Sequence, residues 1–181
     1  DGNLTGPLDF SKHDDYLDQH AQHGLILFYT YDSALKGPAE KFSDTWNRAH
    51  VAYLRAWVEH LKARGMDYAD WALYTIDEPG LRDGPVDIHN KLGKLAREAD
   101  PAIRIYTDPV GDASLEDLQS MAPYTDIWCP HRNTIVNKPD TTKLDFIKST
   151  GGTVFTYECQ DNVKHRSPLG YYRGQAWLAW M

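Results

Sequence analysis

The chain is poor in several things, and each shortage excludes something. Its 181 residues include two cysteines, too few for a disulfide-dense scaffold, and neither has the CxxC or CxxH spacing of a zinc site. No apolar run approaches the ~18–20 residues that a membrane span needs. Basic residues are outnumbered, Lys+Arg 19 against Asp+Glu 26, for a formal net charge of −7. That balance argues against a nucleic-acid backbone or an anionic membrane surface as the main partner. No internal repeat and no low-complexity linker divides the chain, and its first residues, Asp1-Gly2-Asn3, are neither an initiator Met nor a signal peptide.

What is present is a globular composition, 41% hydrophobic and 25% charged. The length suits a single domain, residues 1–181, with a sizeable core. Aromatics are plentiful, six Trp and eleven Tyr among them. They serve cores, and they also make the stacking platforms on which sugars sit.

Short apolar or β-branched runs alternate with helical patterns. The runs are 25–30, 71–76, 103–107, 126–129, 153–157 and Gln175–Trp180. Near-continuous apolar stretches of this kind read as parallel strands buried on both faces. Helices are predicted over Phe10–His23 with Asp9 or Ser11 as N-cap, about Thr45–Arg64 with Gly65 as its stop, Pro85–Ala99, Leu115–Met121 and Thr141–Lys148. Strand–helix alternation is the α/β pattern, for which an open doubly wound sheet and a (β/α)8 TIM-type barrel compete. No Gly-rich phosphate turn follows a strand, which disfavours the open sheet. Chemically loaded residues instead follow strand after strand: Tyr31-Asp32, Asp77-Glu78, Asp108, His131-Arg132 and Glu158. Barrel enzymes carry their chemistry at that rim. Six strands in this length give an incomplete barrel, strands three to eight. A chain with such open edges is expected to be marginal, oligomeric or aggregation-prone in isolation.

The sharpest motif is Tyr74-Thr-Ile-Asp77-Glu78-Pro79-Gly80, two carboxylates at the end of an apolar strand. Burying neighbouring carboxylates pushes a pKa upward, and a carboxyl so raised can serve as general acid near neutrality. The plainer alternative is a solvated turn. For Glu158 the alternatives are a site carboxylate or a charge paired with Arg132, Lys164 or Arg166. Tyr29, Tyr31 and Tyr106 end strands and are candidates to line a pocket. Trp177, among Trp128, Trp177 and Trp180, is the candidate floor of a sugar subsite. Asp108 and His131 are candidate hydroxyl binders, although an Asp beside a Pro also caps turns. His13, His20 and His23 complete no metal-ligand pattern, so neither a metal nor another cofactor is expected. Cys129 and Cys159 end adjacent predicted strands, either bridged or as free thiols. Asn3-Leu4-Thr5 matches a glycosylation sequon.

Asp77-Glu78-Pro79 at a strand end resembles the catalytic pair of substrate-assisted β-hexosaminidases, most of all glycoside hydrolase family 123 and the related DUF4091 barrel domain. Asp9-Phe10-Ser11, Thr156-Tyr-Glu-Cys159 and Trp177-Leu-Ala-Trp180 are similar to that group too. The resemblance implies a retaining β-N-acetylhexosaminidase, in particular a β-N-acetylgalactosaminidase. Glu78 would be its acid/base, and Asp77 would orient and polarise the substrate's 2-acetamido group, with Tyr157 bonded to that group or to the carboxylate pair. The expected partner is then an amino-sugar-containing glycan, with neither nucleic acid nor a membrane span, in an extracytoplasmic setting. In a different clan of barrel glycosidases, an acid/base Glu ends strand four and a nucleophilic Glu ends strand seven. Glu78 and Glu158 occupy those places by count, and double displacement would need them about 5–5.5 Å apart. A third possibility is a carbohydrate-binding barrel fragment without catalysis.

Overall fold

The structure, a computed structural model, describes residues 6–30, 39–82 and 84–159. Its order is α1 (Ser11–His20), β1 (Ile26–Tyr29), α2 (Asp44–Ala63), β2 (Trp71–Tyr74), α3 (Pro85–Ala99), β3 (Ile105–Thr107), α4 (Leu115–Met121), β4 (Ile127–Trp128), α5 (Thr142–Ser149) and β5 (Thr153–Val154). The five strands form one parallel sheet in strictly sequential order, β1-β2-β3-β4-β5. The chain is therefore α/β with a parallel sheet. No described helix is long and apolar enough to cross a membrane.

Helix ends follow local chemistry. In α2 the Ser43 hydroxyl accepts the Trp46 N–H at 3.3 Å, and at the far end Gly65 takes φ +78° while Met66 N–H returns to the Leu61 carbonyl. Pro85 opens α3, where its missing N–H has no helical partner to lose. Ser114 and Asp117 close a reciprocal capping box on α4. The predicted helix over Phe10–His23 divides into α1 and a 3₁₀ turn over Ala21–His23, which ends at Gly24 with φ +136°. The N-cap of α1 is Phe10, which has no side-chain oxygen to offer, so neither Asp9 nor Ser11 caps the helix. Ser11 is its first residue, and Asp9 accepts the Ser11 N–H at 3.0 Å from just outside it.

Register separates the two faces of the sheet. Ile26 pairs with Trp71, Phe28 with Leu73, Leu73 with Ile105 and Thr107 with Trp128. The apolar members of this set pack against α1, α2 and α3 at one end (Leu17, Leu54, Trp57, Ala96) and against α4 and α5 at the other (Leu118, Met121, Ile147). Each such buried Leu, Ile or Trp contributes about 1.5–3 kcal/mol. All five α-helices among the described residues thus lie on one face. Leu27, Tyr29, Tyr74 and Tyr106 belong to the opposite face, where Leu27 and Tyr29 are exposed.

Five of the six predicted strands are observed, each shortened. The sixth, Gln175–Trp180, lies outside the described residues. β3 begins at Ile105 because Ile103 N–H turns back to the Asp100 carbonyl. The pairing of β5 stops early because Pro130, following Cys129 beyond β4, has no N–H to donate. One further bridge, His131 to Tyr157, carries the ladder past that gap. A single π-helical turn, Arg132–Val136, follows His131; nothing in the sequence pattern announced it.

Candidate active site

Three strands end in the same dipeptide, Tyr-Thr: Tyr29-Thr30, Tyr74-Thr75 and Tyr106-Thr107. Alternation sends the threonines to the helix side, where all three are buried, and the tyrosines to the other. The register stacks the tyrosines side by side. Tyr29 and Tyr74 centroids lie 5.2 Å apart, and Tyr74 and Tyr106 lie 5.0 Å apart and edge-on. This row leads to the acidic motif.

Regular strand geometry ends at Tyr74, so Asp77 and Glu78 sit in a bend, where strict alternation no longer sends neighbours to opposite faces. Glu78 has φ +44°, a left-handed conformation unusual for a residue with a Cβ. Such a conformation costs on the order of 1 kcal/mol and persists where its surroundings enforce it. The enforcement is visible. Glu78 N–H donates to Asp108 Oδ1 at 3.2 Å, and its carbonyl accepts the Leu81 N–H at 3.1 Å. Pro79 accepts the Val110 N–H at 3.3 Å, and Gly80 presses on Ala113 so closely that a Cβ would lie 2.5 Å from its nitrogen. A glycine with φ +99° is required there.

Side chains converge on this bend. The Tyr74 hydroxyl lies 2.5 Å from Asp77 Oδ1 and 2.6 Å from Asp108 Oδ2. Tyr157 donates its hydroxyl to Glu78 Oε1 at 2.5 Å. Asp77 is exposed, Glu78 is half-buried and Asp108 is buried, with both its oxygens engaged by protein groups. Burial pushes the Asp108 carboxyl up to about 7; the charge of Asp77 adds to this, and the hydrogen bonds from Tyr74 and Glu78 N–H oppose it. Burial, with the carboxylates beside them, also raises Tyr74 and Tyr157 far above the ordinary phenol value, so both remain protonated donors. Tyr106 is raised likewise by burial and by its contact with Cys129.

The remaining predicted residues fall into two groups. His131 stands edge-on to Tyr157, with centroids 4.9 Å apart, and its Nδ1 lies 3.2 Å from Thr134 Oγ1. Glu158, 1% exposed at its side chain, accepts a bond from Asn133 at 2.6 Å and lies 3.7 Å from Arg132 Nε and 4.0 Å from His131 Nε2. It thus neighbours the Tyr157 side of the site while being held by an ion pair. Trp128 is fully buried on the helix face, and Cys129 and Cys159 are not bridged to each other. Tyr31, Trp177, Trp180, Lys164 and Arg166 lie outside the described residues, as does the Asn3 sequon. Among the described residues, no group of three or more His, Cys, Asp or Glu is placed to hold a metal ion.

The carboxylates stand out in the sequence; Tyr74, the hydroxyl that joins two of them, does not. The threefold Tyr-Thr at strand ends was the available signal. Asn133 was invisible, because its approach to Glu158 depends on the unannounced π turn. Arg132 is buried beside Glu158, and among the described residues its Nε and Nη1 have no hydrogen-bond partner. Replacing Glu158 with Ala should therefore leave that charge uncompensated, with an expected loss of about 3–5 kcal/mol in urea unfolding. A loss below about 1 kcal/mol would show that Arg132 does not depend on it.

No family model matches the chain, and no curated protein matches it. Among solved structures it is similar to an intracellular xylanase from Thermoanaerobacterium saccharolyticum, a mutant in complex with xylotriose, at 15% identity and a TM-score of 0.49. The match covers 84% of this chain and 59% of the xylanase, so the chain spans less than two thirds of that protein's length.

Proposed function

We propose that this chain is the arc of a (β/α)8-type barrel that forms the active site of a glycoside hydrolase, with Glu78 and Asp77 as its catalytic residues. Sequential strand order with every described helix on one face supports the barrel. A doubly wound sheet has a switch point and helices on both faces, whereas a singly wound sheet leaves one face to be enclosed by curling on itself. The tyrosine row and the acidic bend then belong to the inner face and its rim.

The single observation that carries the catalytic reading is Glu78 itself. It is held in a left-handed conformation, at a strand's C-terminal end, with its carboxyl on the Tyr157 hydroxyl. In the finer reading Glu78 protonates the leaving glycosidic oxygen and later deprotonates water. Asp77, exposed and fixed by Tyr74, accepts the N–H of the sugar's 2-acetamido group and orients its carbonyl oxygen to attack the anomeric carbon. The substrate class is a β-N-acetylhexosaminide, specifically a β-N-acetylgalactosaminide. Because the substrate supplies the nucleophile, no enzyme carboxylate need stand 5 Å from Glu78. The burial of Glu158 beside Arg132 and Asn133 favours this over double displacement.

The test uses an aryl β-N-acetylgalactosaminide. Asp77→Asn is expected to lower kcat/KM at least about 100-fold, and Glu158→Gln less than tenfold on the molecules that remain folded. The opposite ranking would assign the chemistry to Glu78 and Glu158.

A further inference from the structure

We propose that Asp108 is a positioning acid: its carboxyl supplies the second proton of a three-oxygen chain, Asp108–Tyr74–Asp77, and so commits the Tyr74 proton to Asp77. The proposal rests on the reading of Asp77 above, and its core is a proton count. One phenol oxygen lies 2.5 Å from Asp77 Oδ1 and 2.6 Å from Asp108 Oδ2. Both separations are hydrogen-bond distances for O–H donors, yet a phenol carries one proton. With both carboxylates ionised, one contact would set the phenol oxygen against a carboxylate oxygen with no hydrogen between them. A second proton is needed, on one carboxyl or the other.

Burial decides which. Asp108 is 6% exposed, while Asp77 is exposed to solvent that can hydrate its charge. The proton therefore resides on Asp108 Oδ2 and is donated to Tyr74, whose own hydroxyl hydrogen points to Asp77. Asp108 Oδ1 remains a carbonyl-like acceptor for the Glu78 N–H at 3.2 Å. One neutral carboxyl thus fixes both members of the proposed catalytic pair, Asp77 through its side chain and Glu78 through its backbone. The groups facing Asp108 are consistent with a neutral acid. They are Asp77 and Tyr74 from β2 and its bend, Tyr106 from β3, the raised thiol of Cys129 after β4, and Tyr157 with its Glu78 partner. Burial raises Asp108 to about 7, in the same direction as the geometry requires.

As pH rises through that value, Asp108 ionises and competes with Asp77 for the single phenol proton, so the orientation of Asp77 is lost on the alkaline side. Asparagine imitates the neutral form, since its amide donates to Tyr74 and its carbonyl accepts from Glu78; alanine does neither.

The direct experiment is a pH titration of the whole chain carrying carbon-13 in its aspartate carboxyls. One resonance is expected to titrate near pH 7, assigned to Asp108 through its neighbours and missing in Asp108→Asn. Should that variant not fold, sequential assignment in the wild type gives the same readout. All aspartates titrating below pH 5 would overturn the proposal. In hydrolysis, the fall of kcat/KM above neutral pH should be absent in Asp108→Asn, and Asp108→Ala should be at least tenfold below Asp108→Asn at pH 6; an unchanged alkaline limb in the Asn variant would also overturn it. Absence of hydrolysis in every form, with the neutral titration present, would instead count against the glycosidase reading and leave the proton assignment standing.

Discussion

Glu78→Gln is expected to lower kcat/KM on an aryl β-N-acetylgalactosaminide about 10²–10⁴-fold, the usual contribution of a positioned general acid. The fold should be retained. Glutamine keeps an oxygen at the position that accepts the Tyr157 hydroxyl, and the backbone bonds that impose φ +44° do not involve the side chain. The diagnostic feature is leaving-group dependence. A leaving group that departs without protonation, such as a dinitrophenolate, should recover most of the lost rate in the step that forms the cyclised acetamido intermediate, while a simple phenolate should not. A uniform loss across leaving groups would mean that residue 78 matters for structure or binding and does not deliver the proton.

Acid should weaken this fold through two histidines that the chemistry does not use. His89 is fully buried between Thr75 and Thr125, with Nδ1 2.7 Å from Thr75 Oγ1 and Nε2 3.0 Å from Thr125 Oγ1. Thr125 already donates its hydroxyl to the Met121 carbonyl, so it accepts from Nε2–H, and Nδ1 accepts from Thr75. Both ring nitrogens are satisfied only in the neutral form. Burial lowers His89 to about 3 and His50, in α2, to about 4, against 6.5 for the free side chain. A depressed histidine binds its proton in the unfolded state first, so the stability it preserves is intact above pH 6.5 and falls as pH drops below it. At pH 5 the two together should have removed about 4 kcal/mol. Asp108 works in the opposite sense. Raised to about 7, it holds its proton in the folded chain while the unfolded chain has released it, which returns about 2 kcal/mol between pH 7 and 5. Urea unfolding at the two pH values should therefore show a net loss of about 2 kcal/mol in the wild type and about 4 in Asp108→Asn. Equal losses in both would contradict the neutral assignment of Asp108, and stability rising toward pH 5 would contradict that of the histidines.

Much of the architecture was legible because its causes are local. The spacing of Trp46, Tyr53, Trp57 and Leu61 defined α2 within about two residues, and the predicted Pro85–Ala99 and Leu115–Met121 coincide with α3 and α4. Strand lengths were overestimated because apolar content continues where pairing does not: Ile103 is buried yet belongs to a turn. The acidic motif could be found because two carboxylates ending an apolar strand violate local expectations. What could not be read was the wiring. Tyr74 meets Asp108 across a strand boundary, and Tyr157 meets Glu78 across 79 residues of chain. Such contacts arise from register and from the bend after Tyr74, which no single segment encodes.

A structure of the chain with a galactose-configured thiazoline bound tests the account most directly, since that molecule imitates the cyclised acetamido intermediate. The expected result places the thiazoline ring against the Asp77 carboxylate, the anomeric carbon within reach of a water held by Glu78, and the sugar over the row of Tyr29, Tyr74 and Tyr106. A sugar seated elsewhere, or an anomeric carbon facing Glu158 with Asp77 turned away, would contradict it.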